Sequence, residues 1–110
     1  MKLPNVARAS VDIAKLRDYC LNGSHPEGRH KARVFHSALD ISSGDAEFLR
    51  QAILEAVVGA DAVAGNQDAY GARYLVDFEL KRGSGQAAIR TVWIVRRGED
   101  FPRLLTCYVL

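Results

Sequence analysis

The residues most able to do chemistry are concentrated in one segment, residues 22–42, with the sequence NGSHPEGRHKARVFHSALDIS. All three histidines of the chain fall within it, at His25, His30 and His36. His30 is flanked by Arg29 and Lys31, and neighbouring positive charge favours the neutral imidazole, which can accept a proton. An adjacent ammonium group can stabilise negative charge that develops in a transition state. A neutral base beside cations suits attack on an RNA phosphodiester by the 2′-hydroxyl, which needs no metal.

A helix over residues 29–39 is the element that must position this base. Three apolar side chains recur at the i, i+3 and i+7 spacing of a buried helix face, namely Ala32, Phe35 and Leu39. Three polar side chains have the same spacing on the opposite face, namely His30, Arg33 and Ser37. The pattern therefore predicts that His30 projects away from the core, with Lys31 near the boundary. An ordinary basic amphipathic helix with an exposed histidine fits the same pattern and remains the alternative.

Two apolar segments near the C-terminus, IRTVWIV and LLTCYVL, are predicted to be neighbouring strands. An antiparallel register through the turn RRGEDFPR would bring Arg90 beside Tyr108 and Val92 beside Thr106, whereas a slip of one residue would separate them. A guanidinium, a hydroxyl and a phenol on one face would fit a phosphate and an adjacent base. Arg73, at the start of an earlier strand, is a further candidate for a phosphate contact. Ordinary strand-forming residues are the alternative explanation.

The period of the hydrophobic pattern changes from helical to strand-like along the chain, which predicts an α+β fold in one domain, residues 1–110. Helices are expected between about residues 10 and 60, and an antiparallel sheet between about 70 and 110. The first helix is predicted to begin near Val11 with Ser10 as its cap, and the last to follow a capping box, Ser42-x-x-Asp45. Residues 60–71, ADAVAGNQDAYG, are predicted to be a loop. Two or three helices would then pack on one face of three or four strands.

Composition limits the classes of function. The 110 residues carry a net charge of only +2, which excludes a histone-like coat of positive charge but allows a local basic patch. No apolar run is long enough to span a bilayer, and the first residues lack the apolar segment of a secretory signal. Cys20 and Cys107 match no metal-ligand spacing, and histidines five and six residues apart do not stack on a helix. We therefore expect reduced core thiols, no metal or cofactor, and a cytoplasmic protein.

Four segments of the chain carry a resemblance to a known family. KLRDYCLNGSHPEGRHKARVF, YGARYLVDFEL, IRTVWIV and PRLLTCYVL together resemble a family of small uncharacterised bacterial proteins that also occur as C-terminal domains of polymorphic toxins. The chain is more distantly similar to the RNase toxins grouped with barnase, EndoU, colicin D and RelE, in which N-terminal helices pack on an antiparallel sheet. That resemblance implies that His30 is the general acid or base and Lys31 the electrostatic stabiliser. It also implies that Thr106 contacts the scissile phosphate and Tyr108 the phosphate or a base, while Arg90 is added from strand geometry.

The leading functional hypothesis is a metal-independent endoribonuclease toxin that is neutralised by a cognate antitoxin or immunity protein. Further contacts to RNA are expected from four basic side chains, Arg29, Arg33, Arg73 and His25. The alternative from another class is a non-catalytic protein-binding module, such as the antitoxin or immunity half of a toxin pair, and a third is a nucleic-acid-binding domain that does not cleave. Residues 73–80, RYLVDFEL, are expected to form a sheet edge that could pair with another copy of the chain.

Overall fold

The computed structural model describes all 110 residues and has the predicted α+β architecture, with three helices preceding a four-stranded antiparallel sheet. The helical elements are a 3-10 turn Val6–Arg8, α1 Ile13–Lys15, a π-helical segment Leu16–Cys20, α2 Arg29–Leu39, a 3-10 turn Ser43–Asp45 and α3 Ala46–Gly59. The strands are β1 Ala62–Asp68, β2 Gly71–Arg82, β3 Gly85–Arg96 and β4 Pro102–Val109, in the order β1-β2-β3-β4. None of the helices is long and apolar enough to cross a membrane.

The core lies between the helices and one face of the sheet. Helix α2 has the predicted bounds and buries the predicted stripe of Ala32, Phe35 and Leu39. Helix α3 likewise buries Ala46, Leu49, Ile53 and Val57. The capping box that precedes α3 is confirmed, because the Asp45 carboxylate accepts a hydrogen bond of 3.0 Å from the Ser42 N–H. The two helices therefore form where the sequence places them, with their apolar faces towards the sheet.

The first helix differs from its prediction. Ser10 is not its cap, since the Asp12 carboxylate accepts the N–H of Ala14 at 3.0 Å and the helix begins at Ile13. The backbone of Ser10 is already paired with the chain around Arg103, in a parallel bridge that fastens the N-terminal segment to β4. The helix then continues as the π-helical segment, in which Leu16 and Cys20 are buried. π-Helical turns are frequent at functional sites.

Strand β1 corrects the prediction of a loop at residues 60–71. Apart from Ala62 its side chains are all exposed, and its sequence, AVAGNQD, has few of the β-branched and aromatic residues that mark strands. Because β1 pairs with β2 from Gly71 to Val76, the first half of RYLVDFEL lies inside the sheet and its prediction as a sheet edge is wrong, whereas residues 77–80 pair only with β3. The edges of the sheet are β1 and β4.

The register of β3 with β4 is the one that brings the candidate residues together. Arg90 pairs with Tyr108 and Val92 pairs with Thr106. One departure from regular alternation occurs next to these pairs, where the register shifts and Leu105 becomes an extra residue in β4. Helix α2 and the π-helical segment both contact β4, so this edge of the sheet is flanked by helical residues.

Candidate functional site

The connector between the π-helical segment and α2 fixes where α2 begins. A Cβ atom on Gly28 would lie 2.8 Å from the carbonyl carbon of Tyr19 and 3.0 Å from its ring, and nearer still to the carbonyl oxygen. Only glycine therefore allows the two segments to approach this closely. His25 closes the same turn, because its Nδ1 accepts the N–H groups of Glu27 and Gly28, each at 3.0 Å. The His25 ring also meets Tyr19 edge-on, with 4.9 Å between ring centroids.

Lys31 is the centre of the polar cluster that results. Its Nζ donates to the hydroxyl of Tyr19 at 2.7 Å and to the hydroxyl of Thr106 at 3.0 Å. It also lies 4.6 Å from the ring centroid of Tyr19 and 5.7 Å from that of Tyr108, within the range of cation–π attraction. An ammonium group has three N–H donors, so one remains for a ligand. No carboxylate is paired with Lys31, so no acidic side chain neutralises its positive charge.

A shallow groove of about 270 Å³ lies between α2 and β4, beside this ammonium group. It is lined by His30, Lys31, Val34, Tyr108 and Val109. His30 is exposed and Lys31 half-buried, as the helical pattern predicts. The groove thus combines an imidazole, an ammonium and a phenol with two aliphatic side chains. These groups can accept a proton, stabilise an anion and stack against a flat ring, respectively.

Four basic residues form what we call the basic turn, namely Arg29, His30, Lys31 and Arg33. None of them makes an ion pair, and the first turn of α2 contains no acidic residue. Cations at a helix N-terminus are unfavourable, because that end already carries the positive pole of the helix dipole. The basic turn is therefore a concentration of uncompensated positive charge, as expected of a surface that binds an anion.

Arg90 lies beside the groove but is already paired. Its Nε and Nη2 donate to the two carboxylate oxygens of Asp77, each at 2.9 Å. The Asp77 carboxylate raises the pKa of Arg90 above its ordinary value, with a smaller contribution from Tyr108, and Arg90 lowers the pKa of Asp77. The bidentate pair with Asp77 occupies the guanidinium of Arg90, which lies across the strand pair from Tyr108 and is less available to bind a phosphate directly. Arg73 is engaged elsewhere on the sheet, with Asp68 at 2.8 Å.

Behind Lys31 lie two free cysteines, both fully buried. The Cys20 thiol is 3.6 Å from the Thr106 hydroxyl that Lys31 also contacts. Hydrogen bonding from Cys107, aided by Thr106 and Lys31 and opposed by burial, lowers the pKa of Cys20 to about 6, whereas the pKa of Cys107 is raised. The dithiol therefore forms part of the polar network under the groove.

The structure thus brings together His30, Lys31, Thr106 and Tyr108, with Arg90 at the border of the cluster. Arg29 and Arg33 lie on the other flank of α2, and His25 serves the turn that precedes it. Tyr19 and Cys20 were not among the residues selected from the sequence. Their only signal was a position at the end of the first helix, which does not reveal a contact with Lys31.

The fold and the groove define a small α+β domain with a cationic cluster at the β4 edge of its sheet, which the helices contact. Residues 2–110 match the model of a family described as a domain of unknown function, DUF6883, and the chain belongs to this family. No curated protein and no solved structure matches the chain. No three histidine, cysteine or acidic side chains are grouped so that they could hold a metal ion.

Proposed function

We propose that this protein is a metal-independent endoribonuclease toxin that acts in the cytoplasm and is neutralised by a cognate antitoxin or immunity protein. The observation that carries the proposal is the groove, in which His30 and Tyr108 flank the unneutralised ammonium of Lys31. The resemblance of the segments around these residues to ribonuclease toxins supports the same conclusion. The low net charge of the chain is compatible with it, because the basic turn concentrates positive charge where RNA would bind.

The proposed reaction is a transesterification within RNA. His30 removes the proton from a ribose 2′-hydroxyl, whose oxygen attacks the adjacent phosphorus. Lys31 stabilises the negative charge that develops on the phosphorane, using the N–H that is free of Tyr19 and Thr106. The bond to the 5′-oxygen then breaks, and the phenol of Tyr108 donates the proton that this oxygen takes. The products are a 2′,3′-cyclic phosphate and a free 5′-hydroxyl.

Cleavage of RNA by purified protein in the presence of a chelator tests this proposal. Wild type should produce discrete fragments that end in a 2′,3′-cyclic phosphate, and inducible expression should arrest bacterial growth. His30→Ala should lower the cleavage rate by about 10²–10⁴-fold, the usual contribution of a positioned acid or base. Lys31→Met should lower it by about 10²-fold or more, because the phosphorane loses its cation.

Ser37→Ala provides a matched control, since Ser37 is exposed on the same face of α2 as His30 but lies outside the groove. This variant should cleave RNA at the wild-type rate. Equal cleavage by wild type and His30→Ala would remove His30 from the mechanism. Intact RNA and normal growth with folded wild-type protein would refute the nuclease proposal altogether.

A non-catalytic protein-binding module is the second candidate, and one observation favours it. His30 is the only histidine in the groove, because His25 is occupied in the turn and His36 faces another cavity. The groove therefore lacks a pair of histidines that could act as acid and base. A basic turn without acid partners would equally suit an acidic surface on another protein. In that case His30→Ala would reveal no activity to lose and would change only the affinity for the partner protein, which calorimetry would measure.

A further inference from the structure

A second cavity, of about 370 Å³, lies on the flank of α2 opposite the groove. One wall consists of basic side chains of α2, Arg29, Arg33 and His36, and the other of the hydroxyl-bearing Ser42 and Ser43. The floor is apolar and includes Leu21, Ala32 and Ile41. We call this the serine cavity. Its volume lies within the range of pockets that bind small ligands or single groups of larger ones.

The two guanidinium groups of the serine cavity are not paired with a carboxylate of the protein. Arg29 and Arg33 have no carboxylate partner, whereas the other arginines are ion-paired except for Arg96 and Arg97 in and after β3. Neither of the two nearby carboxylates pairs with these arginines, although one of them lies beside His36 in the wall of the cavity. Asp45 accepts from Arg82 at 3.0 Å and caps α3, and exposed Asp40 lies 3.6 Å from His36. The two guanidinium groups therefore remain free to donate to an anion.

The donors of this cavity match a phosphate group. A guanidinium offers parallel N–H groups that bind two oxygens of a phosphate at once, and the Ser43 hydroxyl supplies a further donor, whereas the Ser42 hydroxyl already donates to Asp45 at 3.3 Å. The apolar floor could accept the ribose or base attached to that phosphate. Arg29 and Lys31 belong to the same helical turn, so only the exposed ridge of α2 separates the serine cavity from the groove.

We propose that the serine cavity is a second phosphate subsite, which holds a neighbouring phosphate of the RNA strand whose scissile phosphate lies at Lys31. This inference rests on the proposed function. A helix is about 10 Å across, so a short stretch of single strand can cross the exposed ridge of α2 between the two positions. A duplex presents its phosphates on two rigid strands and would not follow that path, which implies that the substrate is single-stranded.

The test measures binding of a short, fluorescent, single-stranded 2′-O-methyl RNA, which cannot be cleaved because it lacks the 2′-hydroxyl nucleophile. The double variant Arg29→Gln with Arg33→Gln is compared with the double variant Arg96→Gln with Arg97→Gln. Both remove two unpaired arginines and change the net charge equally. The first should weaken binding by about tenfold or more, the loss expected of hydrogen bonds to a charged group, and the second by less than about twofold. The slope of log affinity against log salt should become shallower by about 1 for the first only.

Equal losses for the two double variants would show that only general charge matters and would overturn the subsite. Unchanged RNA binding by the Arg29→Gln, Arg33→Gln variant would also overturn the subsite. The same holds if this variant loses affinity for an acidic protein but not for RNA. The fate of the proposed function is read separately, from cleavage of the unmodified RNA of the same sequence by wild type. Binding with the expected pattern but no cleavage would refute the nuclease and leave a phosphate-binding surface.

Discussion

Replacing Gly28 with alanine should destabilise the protein and displace the basic turn. The backbone of Gly28 has φ near −85°, which any residue adopts, so the effect of the substitution is purely steric. The added Cβ would stand 2.8 Å from the carbonyl carbon of Tyr19 and 3.0 Å from its ring, where ordinary contacts are about 3.5–4.0 Å. Because the carbonyl oxygen lies nearer still, the start of α2 and the π-helical segment must separate by roughly one ångström or more.

The size of the effect follows from two opposing contributions. Inserting a methyl group into a packed contact costs about 1–3 kcal/mol. Alanine also restricts the unfolded chain more than glycine does, which offsets about 0.4–1 kcal/mol. The free energy of unfolding should therefore fall by about 1–2 kcal/mol, which corresponds to a Tm lower by about 4–8 °C for a domain of this size. RNA cleavage should fall as well, because the 2.7 Å contact between Lys31 and Tyr19 depends on this spacing.

Urea unfolding followed by fluorescence measures the loss directly, since the single tryptophan, Trp93, is fully buried. Gly23→Ala is the matched control in the same connector. A Cβ at Gly23 would meet nothing within 4 Å, so this variant should be as stable as wild type or up to about 1 kcal/mol more stable. Equal unfolding midpoints for the two alanine variants would refute the argument that close packing on Tyr19 fixes the position of α2.

Two further predictions concern stability. Thr91→Val should lower the free energy of unfolding by about 1–3 kcal/mol in urea titrations. The buried indole N–H of Trp93 would lose its acceptor and the carbonyl of Val76 its donor, both of which lie 2.7 Å from the Thr91 hydroxyl. An unchanged urea midpoint would contradict this prediction. Arg82 lowers the pKa of Asp45, so the stability that this carboxylate contributes is complete above its ordinary pKa and is lost as the pH falls through the lowered pKa. Asp45→Asn should therefore be less stable than wild type at about pH 7, with a smaller difference at about pH 3, as thermal unfolding will measure.

Much of the fold follows from local pattern. Helix α2 begins at Arg29 and ends at Leu39 as predicted, since a turn-forming stretch precedes it and its apolar spacing is regular. Strand β1 was missed for a physical reason. Its side chains after Ala62 face solvent, so no alternation of apolar and polar residues marks it, and pairing with β2 supplies its order. The start of α1 was misplaced because Ser10, a good cap by type, is held by β4 instead.

The site was less accessible to sequence reasoning, although part of it could have been found. Asp77 is exposed on β2 and forms a bidentate pair with Arg90, which the sequence analysis does not predict. The hairpin between β2 and β3 has the two-residue turn Gly83-Ser84, which fixes the register and places Asp77 opposite Arg90. Counting back from that turn would have revealed the pair. The contact of Lys31 with Tyr19 had no such signal, because it depends on how the connector folds in three dimensions.

The partners of Lys31 decide how the basic turn should be interpreted. A lysine that served only stability would be expected to pair with a carboxylate, as Arg90 does with Asp77. Here the ammonium is held by two neutral hydroxyls and two aromatic rings, which fix its position without cancelling its charge. Such an arrangement keeps a positive charge oriented and available at the edge of a groove. The partner that we propose for this charge is an anionic ligand, namely a phosphate beside His30.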